Sequence, residues 1–370
     1  MKFSVETSEL NEALSIVTKA LSPNNELKIL SGIYMSVYGN ELYMKCSDSS
    51  VQIETSIPAL IEEEGAAVLP GRLTFDLMKR MKGKKVEFET GENSAINVVS
   101  GKSRSSLQYF DTEDYPKMDE VKSDASFTIK QKTLRSMIKQ TVFCCANEDE
   151  GKAILRGVLM EFTEEGYLNL VALDGYRIAK RSEKVSLRGN QRNAVVPSKT
   201  MQDISNIISD TDDETEVTLS ATHITISLGV TKIKARLLKG EFINYNNILS
   251  KKSVTRVLVN RADFLESLEI AFLIAKDNQN NLVKMDFDDG ELSISARSEI
   301  GSVNESIQVN LVGSPIEIAF NVKFMLDIMK NIDEESVALS FNTSVTPCVI
   351  EPVQGDKFYY LVLPVRLLKS

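Results

Sequence analysis

The heptapeptide FDLMKRM occupies residues 75–81, and a closely related heptapeptide, LDIMKNI, occupies residues 326–332. A third version, MQDISNII, occupies residues 201–208, so similar segments recur about every 125 residues. Self-similarity at a fixed period indicates that one supersecondary unit is repeated along the chain. The 370 residues therefore predict three similar domains. The predicted domains are residues 1–122, 123–250 and 251–370.

The sequence around each heptapeptide follows one pattern of apolar and polar residues. The segment VLPGRLTFDLMKRMKGKKVEFET, at residues 68–90, predicts a short strand, a turn, a helix, a polar loop and an alternating strand. Residues 195–220 and 318–341 repeat this order. A second set of related segments, each predicting a strand and a helix, occupies residues 3–17, 127–141 and 257–271. Each domain therefore consists of two half-units, and each half-unit contains one helix and several strands.

Short alternating segments predict most of the strands, as in LYMKCS at residues 42–47 and ITISLG at residues 224–229. Such alternation is typical of antiparallel sheets that have one buried face and one face in water. The predicted helices are too few to cover both faces of that much sheet, so we expect them to pack on one side. The predicted fold class is α+β.

The composition is that of a globular protein with a full core, with 42% hydrophobic and 26% charged residues. The four cysteines are irregularly spaced, which favours neither a disulfide framework nor a zinc site. The opening segment, MKFSVETSEL, lacks the apolar core of a signal peptide, and no apolar run is long enough to predict a membrane span. We therefore expect a cytoplasmic protein.

The formal net charge of −9 argues against nucleic-acid binding unless the cations are concentrated on one surface. A helical wheel over residues 72–82 separates an apolar arc from a basic arc. The apolar arc contains Leu73, Leu77, Met78 and Met81. The basic arc contains Arg72, Lys79 and Arg80, together with Asp76. The wheel predicts that the apolar arc packs on the sheet and that the basic arc faces water.

Arg72 aligns with Lys199 and Lys323, so all three repeats have a cation in the first turn of the same helix. The free N–H groups of a helix start, together with Lys or Arg, form a good phosphate site. The alternative is a solvated surface cation, although a cation is slightly unfavourable at a helix N-terminus. A fourth basic segment contains Lys130, Lys132, Arg135 and Lys139.

No catalytic motif can be assembled from the sequence. The only histidine, His223, lies in the alternating segment THITISLG, where a strand residue is expected. GKS at residues 101–103 lacks the preceding glycine of a phosphate loop, and LDG at residues 173–175 predicts a turn between strands. We therefore expect no catalytic residue, no metal and no cofactor. The alternative from another class is a β-rich hydrolase that uses carboxylates such as Asp48 or Asp174.

The chain ends with FYYLVLPVRLLKS at residues 358–370, where an apolar run precedes Arg366. The first part of this segment predicts a strand, and the rest lies at a terminus, where chains usually fray. An exposed apolar strip beside a basic residue is typical of a peptide-docking edge. The alternative is a last strand followed by a frayed tail, and the pattern alone leaves both interpretations open.

The threefold duplication, the paired helices, the missing catalytic motifs and the apolar end together resemble the bacterial DNA polymerase III beta subunit family, the sliding clamps. The most specific parts of the resemblance are MKFSVE at the start, ALDGYRIA at 172–179, VVPSK at 195–199 and YLVLPVRL at 360–367. The resemblance covers the whole chain and implies the DNA clamp fold. Two chains would then join head to tail in a ring that encircles duplex DNA, with helices lining the hole, and would confer processivity on the replicative polymerase.

The resemblance also implies binding sites. A hydrophobic groove would bind short Gln- and Leu-containing peptides of the polymerase alpha subunit, the clamp loader complex, repair polymerases, ligase and mismatch-repair proteins. The implied groove residues are Leu155, Leu173, Gly175, Tyr176, Arg177, Ile178, Ile243, Ile248, Leu361, Val362, Leu363, Pro364, Val365 and Arg366. The residues expected to contact DNA are Arg72, Lys79, Arg80, Lys139, Lys199 and Lys323. The residues expected in the homodimer contact are Leu107, Phe272 and Leu273. Asn24 stands where an arginine often touches DNA in this family, and Leu368–Ser370 extend beyond the usual family ending.

Overall fold

The computed structural model describes residues 1–21, 27–116, 122–147, 149, 151–249, 253–288 and 290–366. These residues form two compact units. The first unit comprises Met1–Lys132, Leu187–Asn190 and Asn206–Leu237. The second unit comprises Thr133–Ser186, Gln191–Ser205 and Leu238–Ser370.

Six α-helices lie within the described residues, two in each sequence repeat as predicted. They are α1 (Thr7–Val17), α2 (Gly71–Arg80), α3 (Gln131–Val142), α4 (Ser198–Ile207), α5 (Arg261–Ala275) and α6 (Val322–Asn331). No helix in this part of the chain is long and apolar enough to cross a membrane.

The strands of the described residues are short. In chain order they are β1 (Lys2–Glu6), β2 (Gly32–Tyr38), β3 (Glu41–Ser47), β4 (Val51–Pro58), β5 (Leu60–Glu63), β6 (Gly65–Pro70), β7 (Lys85–Thr90), β8 (Ala95–Ser100), β9 (Ser103–Gln108), β10 (Ala125–Lys130), β11 (Gly157–Phe162), β12 (Tyr167–Leu173), β13 (Arg177–Lys184), β14 (Arg188–Gly189), β15 (Ala194–Pro197), β16 (Glu214–Leu219), β17 (His223–Leu228), β18 (Thr231–Arg236), β19 (Thr255–Asn260), β20 (Leu282–Asp288), β21 (Glu291–Ser298), β22 (Gly301–Gln308), β23 (Asn310–Val312), β24 (Ile316–Asn321), β25 (Ser336–Phe341), β26 (Cys348–Pro352) and β27 (Phe358–Val362).

The first unit contains a five-stranded sheet and a nine-stranded sheet. Their strand orders are β5-β1-β7-β8-β9 and β14-β10-β16-β17-β18-β4-β3-β2-β6. The nine-stranded sheet is continuous because β18, from the second sequence repeat, pairs antiparallel with β4, from the first. Helix α1 packs on β3 and β4, and α2 packs on β2 and β6.

The second unit is built on the same plan, with a nine-stranded and a four-stranded sheet. Their strand orders are β15-β11-β12-β13-β27-β26-β25-β19-β23 and β22-β21-β20-β24. Here β27, at the end of the chain, pairs antiparallel with β13 from the middle repeat. The antiparallel pairing and the α+β class predicted from the alternation are confirmed. The repeats did not predict that one sheet would run across two of them.

A side chain of the first helix in each repeat donates a hydrogen bond to the same backbone position near the end of the second helix. Asn11 Nδ2 donates to the carbonyl of Met78 at 3.4 Å. Arg135 Nε donates to the carbonyl of Ser205 at 3.2 Å, and Arg261 Nη1 donates to that of Met329 at 3.3 Å. Each repeat therefore joins its second helix to its first by a side-chain hydrogen bond near the C-terminal end of the second helix.

The helical wheel was wrong for one residue of α2. Thr74, Met78 and Met81 face the core, whereas Leu73 is 55% exposed. At 100° per residue, Leu73 lies more than a quarter-turn from the centre of the face that contains Thr74 and Met78. A four-residue apolar arc was therefore too wide for this helix.

Gly157 is the first residue of β11, and its replacement tests the packing between β11 and β15. A methyl group at this position would lie 2.6 Å from the carbonyl oxygen of Val196 and 2.8 Å from Leu238 Cδ1. Because backbone cannot move aside cheaply, we expect Gly157→Ala to destabilise the protein by roughly 1–3 kcal/mol. Thermal unfolding measures the loss as a lower midpoint temperature. The control is Gly91→Ala, whose methyl would lie 3.4 Å from Asn97 Nδ2, an ordinary contact. Equal midpoints for the two variants would contradict the predicted clash.

Candidate binding surfaces

The turn between β12 and β13 carries the centre of the predicted groove. Asp174 Oδ1 accepts the backbone N–H of Tyr176 at 2.9 Å and that of Arg177 at 3.0 Å. Gly175 has φ of +96°, a conformation that favours glycine. The turn predicted from LDG is therefore confirmed. It leaves the ring of Tyr176 58% exposed at the end of the hairpin.

The end of the chain lies beside this turn. Leu361 pairs with Ile178 across β13 and β27, and the N–H of Leu363 donates to the carbonyl of Tyr176 at 2.9 Å. Two residues later, the N–H of Val365 donates to the carbonyl of Ala319 at 2.8 Å. The segment after β27 is therefore held by backbone hydrogen bonds up to this point, so the alternative of a tail that frays directly after the strand is wrong.

A buried apolar cluster underlies both segments. Leu155, Leu173, Ile178 and Leu361, all predicted for the groove, belong to it. Its other buried members are Ala146, Ile154, Leu159, Val171, Val195 and Tyr245, and Ile243 packs against it from the side. We call the surface formed by Tyr176, Ile248 and Leu363, which are 58%, 43% and 38% exposed, together with this cluster, the apolar site.

Two predicted groove residues lie on the strand face opposite the buried cluster. Successive side chains of a strand point to opposite faces, so Arg177 and Val362, which pair across β13 and β27, lie on the face opposite Ile178 and Leu361. Val362 is fully buried there. The two-residue period of the strands separates these two side chains from the cluster, and their part in the groove stays a prediction.

Arg177 is instead the centre of a buried polar network. Its side chain is 8% exposed and donates to Asp174 Oδ2 at 2.9 Å and to Asp327 Oδ2 at 2.7 Å. It also donates to the carbonyl of Phe143 at 2.9 Å, and its guanidinium lies 4.6 Å from the ring centre of Phe324. The positive charge of the Arg177 guanidinium is therefore stabilised by nearby carboxylate, carbonyl and aromatic groups.

The remaining predicted groove residues lie along the rim. Gly175 and Arg366 are exposed, and Pro364 and Val365 are half-buried. Their backbone continues from the turn and from β27, so they border the apolar site without entering its cluster.

Several residues that contribute to the apolar site were missed from the sequence. Tyr245 is buried in the cluster, and its hydroxyl donates to Glu161. Burial and this hydrogen bond raise the pKa of Tyr245. Phe324 on α6 stacks on Tyr176 with ring centres 6.0 Å apart. Leu238, Phe242, Leu249 and Tyr359 also pack on the cluster. Leu238, Phe242 and Leu249 lie in loops, where hydrophobic periodicity gives no signal.

The cations predicted for DNA contact are all exposed. Arg72, Lys199 and Lys323 are each the second residue of a helix, namely α2, α4 and α6. Lys79, Arg80 and Lys139 lie further along α2 and α3 and are also exposed. None of the six cations forms an ion pair with another residue that the structure describes. They are therefore available to an external anion.

The fourth basic segment is mostly neutralised. Asp212 forms ion pairs with Lys130 Nζ at 2.9 Å and with Lys132 Nζ at 2.8 Å. The hydrogen bonds from Lys132 and Lys130 lower the pKa of Asp212 to about 2. Arg135 Nε binds the carbonyl of Ser205. The sequence places these cations close together but does not show that an acidic loop folds onto two of them.

The residues predicted for the homodimer contact lie at two sheet ends. Leu107 is buried in β9, the edge strand of the five-stranded sheet in the first unit. Phe272 and Leu273 lie on α5, which packs against β21 and β22, and β22 is an edge strand of the four-stranded sheet. Leu273 is exposed, as is Ile300 in the turn before β22.

Two predictions fall outside the described residues, namely the DNA contact at Asn24 and the effect of Leu368–Ser370 on the groove. Other predictions can be compared directly. His223 begins β17, as expected for a strand residue, and Gly101 and Lys102 form the turn before β9, which begins at Ser103.

The carboxylates of the alternative hydrolase serve as turn caps. Asp48 Oδ1 accepts hydrogen bonds from the N–H groups of Ser50 and Val51. Asp174 Oδ1 accepts the two equivalent hydrogen bonds in its own turn.

The four cysteines are free. Burial raises the pKa of the Cys144 and Cys348 thiols and raises that of Cys145 to about 12, so these thiols are protonated at neutral pH.

Comparison with known proteins gives matches to one family along the chain. Residues 1–119, 128–244 and 246–366 match the family models described as the DNA polymerase III beta subunit N-terminal, central and C-terminal domains. A beta sliding clamp of Staphylococcus epidermidis is 29% identical over 99% of each chain. The DNA polymerase sliding clamp of Bacillus subtilis is 28% identical over 100% of each chain, with a TM-score of 0.94.

A structure described as a putative DNA polymerase III beta subunit from Eubacterium rectale is 31% identical, with a TM-score of 0.92, over 99% of this chain and 100% of that one. These matches leave the hydrolase alternative without support. The chain therefore belongs to the DNA polymerase III beta subunit family, the DNA sliding clamps, which are non-catalytic processivity subunits of a DNA polymerase.

Proposed function

We propose that two copies of this chain close head to tail into a ring around duplex DNA, and that the ring holds the DNA through its helices. The observation that carries this proposal is an exposed cation, without an ion-pair partner among the described residues, at the second position of α2, α4 and α6. Three equivalent cations provide equivalent phosphate contacts at regular intervals around the ring. A ring around a helical polyanion requires such repeated contacts. The three domains of each ring subunit would be residues 1–122, 123–250 and 251–370.

The net charge of −9 is compatible with this function. Phosphate contacts from Lys and Arg position a protein on DNA without reading its sequence, so a ring held by them is free to slide. A closed ring retains DNA by topology and does not need high affinity. We propose that the protein works in the cytoplasm, where the DNA that it would encircle lies.

We further propose that the apolar site binds short Gln- and Leu-containing peptides. Their sources would be the replicative polymerase alpha subunit, the clamp loader complex, repair polymerases, ligase and mismatch-repair proteins. The support is an exposed Tyr176, Ile248 and Leu363 above a buried apolar cluster. Exposed apolar side chains on a rigid base are typical of peptide-binding sites.

Charge reversal tests the DNA contacts. We expect the triple variant Arg72→Glu, Lys199→Glu and Lys323→Glu to weaken DNA retention while peptide binding is preserved, because phosphate contacts are replaced by repulsion. Binding to duplex DNA measured over a series of salt concentrations should show a log–log slope smaller by about 1 for each phosphate that the variant no longer binds.

A matched control for that experiment reverses three strand cations, Lys184→Glu, Arg188→Glu and Lys232→Glu, which give the same change in net charge. This variant should retain DNA much as the wild type does. Equal losses in both variants would show that net charge alone matters, and the account of the helix faces would fail.

Truncation of one exposed aromatic side chain tests the apolar site. We expect Tyr176→Ala to weaken binding of a fluorescein-labelled Gln- and Leu-containing peptide about tenfold, because the exposed ring supplies apolar contact area. Fluorescence polarisation measures this loss. Tyr38→Ala, at an exposed tyrosine beside the β2–β3 turn, is the control and should bind the peptide normally. Normal binding by the Tyr176→Ala variant would reject this site.

Oligomeric state tests the ring. We expect light scattering to give a mass near twice the chain mass of 41.2 kDa, and Leu273→Asp to reduce it to that of a single chain. A charge at Leu273 would be buried without a partner in the proposed contact, which is costly. Val230→Asp changes an apolar residue in the β17–β18 turn that is 67% exposed, compared with 59% for Leu273, and should stay dimeric. A wild-type mass of one chain at micromolar concentration would contradict the proposed ring.

A further inference from the structure

The turn between β3 and β4 in the first unit repeats the hydrogen bonds of the Asp174 turn. Asp48 Oδ1 accepts the N–H of Ser50 at 2.9 Å and that of Val51 at 2.7 Å. The carbonyl of Ser50 accepts the N–H of Arg236 at 2.8 Å, as the carbonyl of Tyr176 accepts a neighbouring N–H. The backbone of the two turns therefore has the same design, and any difference between them lies in the side chains.

Val51 occupies the place that Arg177 occupies in the second turn. The first turn keeps its hydrogen bonds with an apolar residue at this place, so Arg177 is not needed for the turn geometry. Taking a guanidinium out of water is costly, and a buried ion pair contributes little to stability compared with apolar residues. The better-attested use of such a pair is to fix one arrangement of two elements. Here the two elements are the β12–β13 turn and α6.

Helix α6 meets the turn through two neighbouring contacts. Asp327 Oδ2 accepts a hydrogen bond from Arg177 at 2.7 Å, and the ring of Phe324 stacks on Tyr176. Phe324 also lies under the Arg177 guanidinium, 4.6 Å from ring centre to Cζ. The residue before Phe324 is Lys323, which is exposed on the helix at a proposed phosphate contact. One short stretch of α6 therefore holds the rim of the apolar site and carries a proposed DNA contact.

We infer that Asp327 and Phe324 are positioning residues of the apolar site, and that they couple peptide binding at Tyr176 to phosphate binding at the start of α6. A phosphate on Lys323 restrains α6, the restrained helix holds Arg177 and Tyr176 in place, and the peptide then meets a rim that is already ordered. Coupling between two sites is reciprocal, so a bound peptide also tightens the hold on DNA. This inference rests on the proposed function.

The first experiment measures binding of the fluorescein-labelled Gln- and Leu-containing peptide by polarisation, without DNA. We expect Asp327→Asn to weaken binding about tenfold, because Arg177 loses a charged partner and the rim loses its anchor. Asp327→Glu keeps the charge and should recover most of the affinity, which a purely structural role would not predict. Phe324→Leu keeps apolar bulk but loses the ring stacking, and we expect a smaller loss of about threefold.

The repeat supplies the control. Asp76 occupies the position of Asp327 in α2, and its exposed carboxylate forms no ion pair with a described residue. Asp76→Asn should leave peptide affinity unchanged. Thermal unfolding shows whether each variant is folded. If a folded Asp327→Asn variant and the Phe324→Leu variant both bind the peptide within twofold of wild type, the positioning role is overturned. If the wild type fails to bind the peptide, the proposed peptide function fails as well, and the two failures are thereby distinguished.

The second experiment repeats the wild-type and Asp327→Asn titrations with saturating short duplex DNA. We expect DNA to tighten peptide binding by the wild type about fivefold, at the lower end of typical coupling between sites. The same DNA should change the affinity of the Asp327→Asn variant by less than half as much. An unchanged wild-type affinity in the presence of bound DNA, or an equal effect on both proteins, would overturn the coupling.

Discussion

The backbone hydrogen bonds between β13 and β27 are the interaction on which the apolar site depends. They join the middle repeat to the end of the chain in one antiparallel sheet. They place the segment after β27 against the carbonyl of Tyr176. The alternation of side chains then separates two environments at neighbouring residues. Ile178 and Leu361 enter the apolar cluster, whereas Arg177 enters a polar network on the opposite face.

The distribution of charge follows from the same separation of faces. Helices that bury one face against a sheet present the other face outward, so cations repeated at equivalent helix positions remain exposed. Acidic residues outnumber cations overall, and some of them neutralise cations, as Asp212 does for Lys130 and Lys132. The helix cations have no ion-pair partner among the described residues, whereas Lys130 and Lys132 have one. This difference depends on the residues nearby, and the net charge of the chain does not reveal it.

Repetition also explains how one backbone design supports different chemistry. The turns at Asp48 and Asp174 share their hydrogen bonds, but Val51 in one turn corresponds to Arg177 in the other. Asp76 and Asp327 occupy the same helix position, yet among the described residues only Asp327 has an arginine to bind. Backbone geometry is preserved because every half-unit must bury the same faces. Side chains at the turns are free to diverge, even where they are buried as Val51 and Arg177 are.

The sequence by itself determined the class of elements, their order and their repetition, because hydrophobic periodicity and turn residues are local properties. It identified the helices, the antiparallel strands, the LDG turn, and the cations at the helix starts. The tertiary structure alone decided which distant residues these elements contact. The contacts of Arg177, Tyr245 and Phe324 were missed because each depends on a partner distant in the chain. Strand pairing and side-chain networks are set by such long-range contacts, and no local pattern records them.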